Sequence, residues 1–92
     1  MEEVRKKIGN HTVDCIENFG NDTVILSFDG ESEGDGWVIT QVEFWTDENE
    51  WKYTDIWYDN DGNYTEQMES QRLTDEDKDQ VKVTVKEWIE NH

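Results

Sequence analysis

An α+β fold, a small antiparallel sheet of three to four strands with a C-terminal helix and a short N-terminal helix, is predicted by three features of this sequence. Two runs of β-branched and aromatic residues stand on either side of a short polar connection, and a third apolar run lies between glycines. The last twenty residues carry apolar side chains at helical spacing behind a capping residue.

The strands come from the middle of the chain. WVITQVEFWT (37–46) and WKYTDIWYD (51–59), joined by the polar DENE, read as an antiparallel hairpin. TVILSFD (23–29), bounded by Gly20 and Gly30, is a third strand, and a weaker fourth begins at Tyr64 after the turn Asn60-Asp61-Gly62-Asn63. Glu2 to Ile8 is a short helix candidate, with Val4 and Ile8 one turn apart and Gly9 as its stop. In LTDEDKDQVKVTVKEWIENH, Thr74 can cap a helix, Asp75, Glu76 and Asp77 suit its positive end, and Val81, Val85, Trp88 and Ile89 share one face. Val81, Val83 and Val85 also alternate, so a strand over 81–86 competes; cap and length favour the helix.

The 92 residues make one domain, 1–92, with a modest core. A formal charge of −16 with 33% hydrophobic residues points toward disorder, but five Trp, three Tyr and three Phe supply the buriable area that solvating tails lack. A lone cysteine, Cys15, and the charged opening MEEVRKK favour an intracellular, reducing setting, and no apolar run is long enough to cross a bilayer. The charge is concentrated: residues 29–79 hold 17 acids against Lys52, Arg72 and Lys78, whereas the rest of the chain holds 7 acids and 5 bases.

Chemistry finds little footing. Glu31, Glu33, Asp35 and Gly36 imitate the first half of a calcium loop, but Val42 stands where a bidentate Glu is required; Asp59, Asp61 and Asn63 fail sooner, with Tyr64 in the glycine place. His11 and His92 have no metal-ligand spacing and no nucleophile partner, Cys15 reads as a small buried hydrophobe, and no phosphate-cradling glycine loop is present. The expectation is a protein that is not an enzyme and uses neither cofactor nor metal.

The acidity itself is the functional signal. Solubility is served by a net charge of about 2 to 8 in a small domain, and this chain doubles that. Duplex DNA carries one charge per roughly 1.7 Å of axis, so sixteen charges correspond to about 27 Å of duplex, close to the width on the order of 30 Å of a domain this size. Residues i and i+2 of an extended segment lie roughly 6.6 Å apart on one side, which makes Asp29, Glu31, Glu33 and Asp35 a carboxylate row and lets Asp59 and Asp61 start another; Asp75 and Asp79 stack one helical turn apart. The phosphate-mimic candidates are all the acids of the stretch: these eight together with Glu43, Asp47, Glu48, Glu50, Asp55, Glu66, Glu69, Glu76 and Asp77.

Over its whole length, with the opening MEEVRKKIGNHTVDCIENFG and its extreme acidity, the chain resembles the Arn family, the anti-restriction nuclease proteins of T-even phages. The resemblance implies a dimeric DNA mimic that occupies the DNA-binding site of a modification-dependent restriction endonuclease of the McrBC type, acting in the cytoplasm of the infected bacterial host. It brings no short functional motif, so the candidate residues above rest on charge position. The partner expected is a DNA-binding protein, with no direct contact to nucleic acid or membrane. The rival readings are an acidic adaptor or histone-type chaperone that shields basic proteins, and an acidic domain that is merely highly soluble.

Both sides of the predicted hairpin are apolar: Trp37, Ile39 and Trp45 against Val38, Val42 and Phe44 on one strand, Trp51, Tyr53 and Trp57 against Ile56 and Tyr58 on the other. Either helices cover both sides, or one is a contact surface. For a twofold dimer, which would double the eight or so base pairs covered by one subunit, the candidate interfaces are the aromatic sheet residues and the Val/Trp stripe of the helix.

Overall fold

In the computed structural model, which describes residues 2–92, eight strands precede one helix. They are β1 (Glu2–Glu3), β2 (Lys7–Ile8), β3 (His11–Phe19), β4 (Thr23–Phe28), β5 (Glu31–Glu33), β6 (Gly36–Trp45), β7 (Glu50–Tyr58), β8 (Tyr64–Gln67) and α1 (Asp75–Glu90). All pairings are antiparallel. Because β1 and β2 both line β3, and β4 and β5 both line β6, the sheet is a meander in chain order with two of its strands broken by bends.

This corrects the expected fold class. The described residues are mostly sheet, eight strands and a single C-terminal helix, in place of a small sheet of three to four strands with a C-terminal and a short N-terminal helix. Residues 2–8, expected to be helical, instead extend β3: Glu2 pairs with Ile16 and Ile8 with His11, and the intervening backbone bonds Asp14 and Val13 through a kink at Arg5, φ 57°. Gly9, expected as a helix stop, is the first residue of a two-residue hairpin loop at φ 59°. A helix C-terminus and a type II′ hairpin ask for the same positive φ, so the glycine alone did not distinguish them.

β3 escaped notice for a different reason. The register shifts between Val13 and Cys15, leaving Asp14 as a bulge, so Val13, Ile16 and Asn18 share one side at spacings that hide the period of two. β4, β6, β7 and the start of β8 lie close to where the hydrophobic pattern put them, whereas β5 (Glu31–Glu33) was not expected as a strand. The β6–β7 hairpin pairs Trp37 with Tyr58 through to Trp45 with Glu50.

α1 lies across one face of this sheet. Thr74 caps it in a capping box: its hydroxyl accepts from the Asp77 N–H while the Asp77 carboxylate accepts from the Thr74 N–H. Residues 81–86 are helical, with Val81 and Val85 buried and Val83 55% exposed. The core is a single layer between helix and sheet: Val13 and Ile16 from β3, Val24, Leu26 and Phe28 from β4, Val42 and Phe44 from β6 and Tyr53 from β7, closed by Ile8, Leu73, Val81 and Val85. Among the described residues no helix covers the other face.

Candidate functional site

Strand pairing decides where the acids go. The turn between β5 and β6 and the turn between β7 and β8 lie side by side, since a Cβ on Gly36 would collide with the Tyr58 carbonyl; this end of the sheet gathers Glu33, Asp35, Asp59 and Asp61, all exposed. At the opposite end the Thr46 N–H donates to the Asp22 carbonyl at 2.9 Å, which joins the β3–β4 and β6–β7 turns and clusters Asp22, Asp47, Glu48 and Glu50. Glu69, Asp75, Glu76 and Asp79 are exposed on the last loop and the helix. Glu43 and Glu66 lie on the open sheet face, Glu43 half-buried and accepting from the Trp45 indole N–H at 3.3 Å.

Four of the seventeen candidates have other duties. Asp55 on β7 is 0% exposed: its carboxylate accepts from the Thr40 hydroxyl at 2.9 Å, the Ser70 hydroxyl at 2.6 Å and the Gln71 N–H at 2.8 Å. A buried carboxylate persists only with such donors, and these fasten the loop before α1 to the sheet. Asp77 is buried in the capping box. Asp29 receives the Arg5 guanidinium at 2.7 Å, and Glu31 is gripped by Arg72 and by His11 Nδ1 at 3.1 Å. Partial burial pushes the Glu31 carboxyl up, but the hydrogen bonds and charges of Arg72 and His11 outweigh it and hold the group below its ordinary value.

The carboxylate row expected along residues 29–35 is therefore broken. Its first two members are matched with bases, and Asp35 sits in a two-residue hairpin loop with Gly34 at φ 57°. The row from Asp59 also fails, because Asp59 turns inward on its own loop to accept from the N–H groups of Asp61 and Asn63, each at 2.9 Å. The Asn63 N–H is the largest cause that draws the Asp59 carboxyl below its usual range. Asp75 and Asp79 do stand exposed one turn apart. Removing the two buried and the two arginine-matched acids leaves thirteen of seventeen accessible.

Charge counting along the sequence missed two features. Asp22 belongs to an acidic end although it precedes the acidic stretch; its place follows from the pairing of Thr23 with Trp45. The open face presents rings: Trp37 stacks on Tyr58 (centroids 5.1 Å apart, planes 10°) and Tyr58 meets Tyr64 at 6.0 Å. Strand alternation carried this signal, but which side the helix would take was not in it.

Catalytic features are sparse. The Cys15 thiol is buried, and desolvation raises its pKa, which leaves it a poor nucleophile. Among the described residues no three His, Cys, Asp or Glu side chains are arranged to hold a metal ion. No helix of the described residues is long and apolar enough to cross a membrane. No protein-family model matches the chain, and comparison with curated proteins and with solved structures finds no match.

Proposed function

We propose that this protein is an anionic mimic of DNA that occupies the DNA-binding site of another protein. The observation that carries the reading is charge density on ordered elements. Sixteen net negative charges are distributed over a longest dimension of 39 Å, one per about 2.4 Å, against one per roughly 1.7 Å of duplex axis. Turns with internal hydrogen bonds, strand ends and a capped helix hold the thirteen accessible acids in place. Preorganised carboxylates meet a basic cleft without the ordering cost that a disordered polyanion incurs.

A modification-dependent restriction endonuclease of the McrBC type, met in the cytoplasm of an infected bacterial host, is the target that the sequence resemblance supplies. Pairing of two copies would extend the anionic length. The helix stripe of Val81, Val85, Trp88 and Ile89 packs against the core, so it does not supply that contact.

One observation favours the rival reading of an acidic adaptor. The accessible acids occupy both ends of the sheet, its open face and the helix side, a wrapping distribution that shields basic proteins without copying two phosphate rows. Competition separates the two. Titrated against labelled modified duplex bound to a McrBC-type endonuclease, the mimic displaces DNA at one defined stoichiometry, with affinity that falls as salt rises. Similar affinity for the endonuclease, histones and unrelated basic proteins would establish the adaptor instead.

A further inference from the structure

The open face of the sheet carries a row of rings that the helix-covered face does not resemble. Trp37 of β6, Tyr58 of β7 and Tyr64 of β8 are directly paired across three adjacent strands, and Trp37 and Tyr64 are 40% and 64% exposed. One step inward on the same face stand Ile39, Ile56 and Glu66, again cross-strand partners. On the outer side the row is followed by the two turns, where Asp35 and Asp61 are exposed while Asp59 is engaged within its own loop. Rings of this kind, with acidic turns on one side and Glu66 on the other, attract a cation that can lie flat.

Cations already sit over the aromatic rings of the covered face. Lys78 Nζ lies 5.0 Å from the Tyr53 centroid and Lys82 Nζ 6.0 Å from that of Trp51. Among the described residues no cation lies over Trp37, Tyr58 or Tyr64. Nor is one placed on these rings: by strand register Glu3, Glu17, Glu43, Glu50 and Glu66 share the face with Lys52, which pairs across from Glu43, and with Lys7 on the β2–β3 side of the sheet. A second copy laid on this surface would set acids against acids, whereas a basic partner finds both its charge and its apolar stems accommodated.

We propose that the Trp37–Tyr58–Tyr64 row is a docking surface for an arginine-bearing segment of the partner, whose guanidinium groups stack on the rings and hydrogen-bond the flanking carboxylates. Arginine is favoured over lysine because its planar, weakly hydrated group stacks and donates at once. This deepens the proposed function and rests on it for the partner's identity, since DNA-binding clefts present arginine where they grip phosphate.

The test compares octa-arginine with octa-lysine, peptides of equal charge, binding to the full chain at about 0.15 M salt, a concentration that screens loose attraction. Octa-arginine is expected to bind about three- to fivefold more tightly for each ring engaged. Tyr64→Ala abolishes much of that preference and Tyr64→Phe keeps it, while Asp61→Asn weakens both peptides alike; Tyr64 is an exposed edge residue, and circular dichroism checks the fold of each variant. Equal binding of the two peptides, or a preference untouched by Tyr64→Ala, overturns the proposal. So does sedimentation showing that the wild-type chain is a dimer which Tyr64→Ala dissociates, because the row is then covered by a second copy. DNA displacement is scored separately: a chain that displaces DNA without preferring arginine loses this surface and keeps the proposed function, and one that prefers arginine without displacing DNA does the reverse.

Discussion

The two faces of the sheet divide the work of the molecule. On the covered face every second residue of β4 and of β6 from Val38 to Phe44 is buried, and even its polar groups are tied down, Thr40 and Asp55 to one another and to the loop that leads into the helix. On the open face the alternate residues of the same strands remain partly exposed, mixing Ile25, Ile39, Ile56 and aromatic rings with glutamates. Stability is concentrated on one side, leaving the other free to carry charge that would be intolerable in a core. A 92-residue chain with a net charge of −16 keeps a unique fold because its repulsive groups sit on turns, ends and the uncovered face, where water and salt screen them.

Breaking the covered face should have the largest effect. Asp55→Ala leaves the Gln71 N–H and the buried Thr40 and Ser70 hydroxyls without their acceptor, and a loss of about 3 kcal/mol or more is expected in urea denaturation; at about 4–8 °C per kcal/mol the melting temperature should fall by more than 10 °C. Glu66→Gln on the open face should leave the urea midpoint nearly unchanged. Equal effects of the two would erase the division between faces.

Gly9→Ala is expected to cost about 1–2 kcal/mol in the same assay, since the residue needs φ 59° and an added Cβ would overlap the Asp77 carboxylate of the helix cap.

Acid titration sharpens the comparison further. Glu31 is held below its ordinary pKa in the folded state, so the stability it contributes is present above about pH 4.5, the unfolded value, and is lost as pH falls through the folded one. Arg72→Gln should lower stability at neutral pH and flatten that acid limb. An unchanged acid limb would mean that the Arg72–Glu31 pair does not hold the loop.

The smallest effect is expected at Tyr53. Its hydroxyl is buried with no hydrogen-bond partner among the described residues, so Tyr53→Phe should be neutral or stabilising by up to about 1 kcal/mol. Burial, then the charges of Asp79 and Glu69, pushes this phenol up to about 12. The folded protein keeps the proton that the unfolded chain loses near 10, so stability should fall as pH climbs from about 10 toward 12, and Tyr53→Phe should remove that part of the alkaline limb.

Local chemistry was enough to predict four of the strands, the helix and its cap. The β6–β7 hairpin, β4, the start of β8 and Thr74 are each signalled by side chains a few residues apart, through branching, alternation or capping. The concentration of charge in residues 29–79 is likewise a property of the chain alone. Tertiary structure decided the rest. Whether Gly9 ends a helix or turns a hairpin depends on β3 being there to pair, and β3 itself is masked by the bulge at Asp14. Whether an aspartate is surface charge or buried anchor depends on donors brought from elsewhere: Asp55 meets Thr40 from the neighbouring strand and Ser70 and Gln71 from beyond β8, each about fifteen residues away along the chain. The pattern of the hairpin offered two apolar sides of similar strength, and a single helix can cover only one. Its landing place was settled by the summed packing of Val81, Val85, Trp88 and Ile89 against the whole sheet, a free energy that no short stretch of sequence contains.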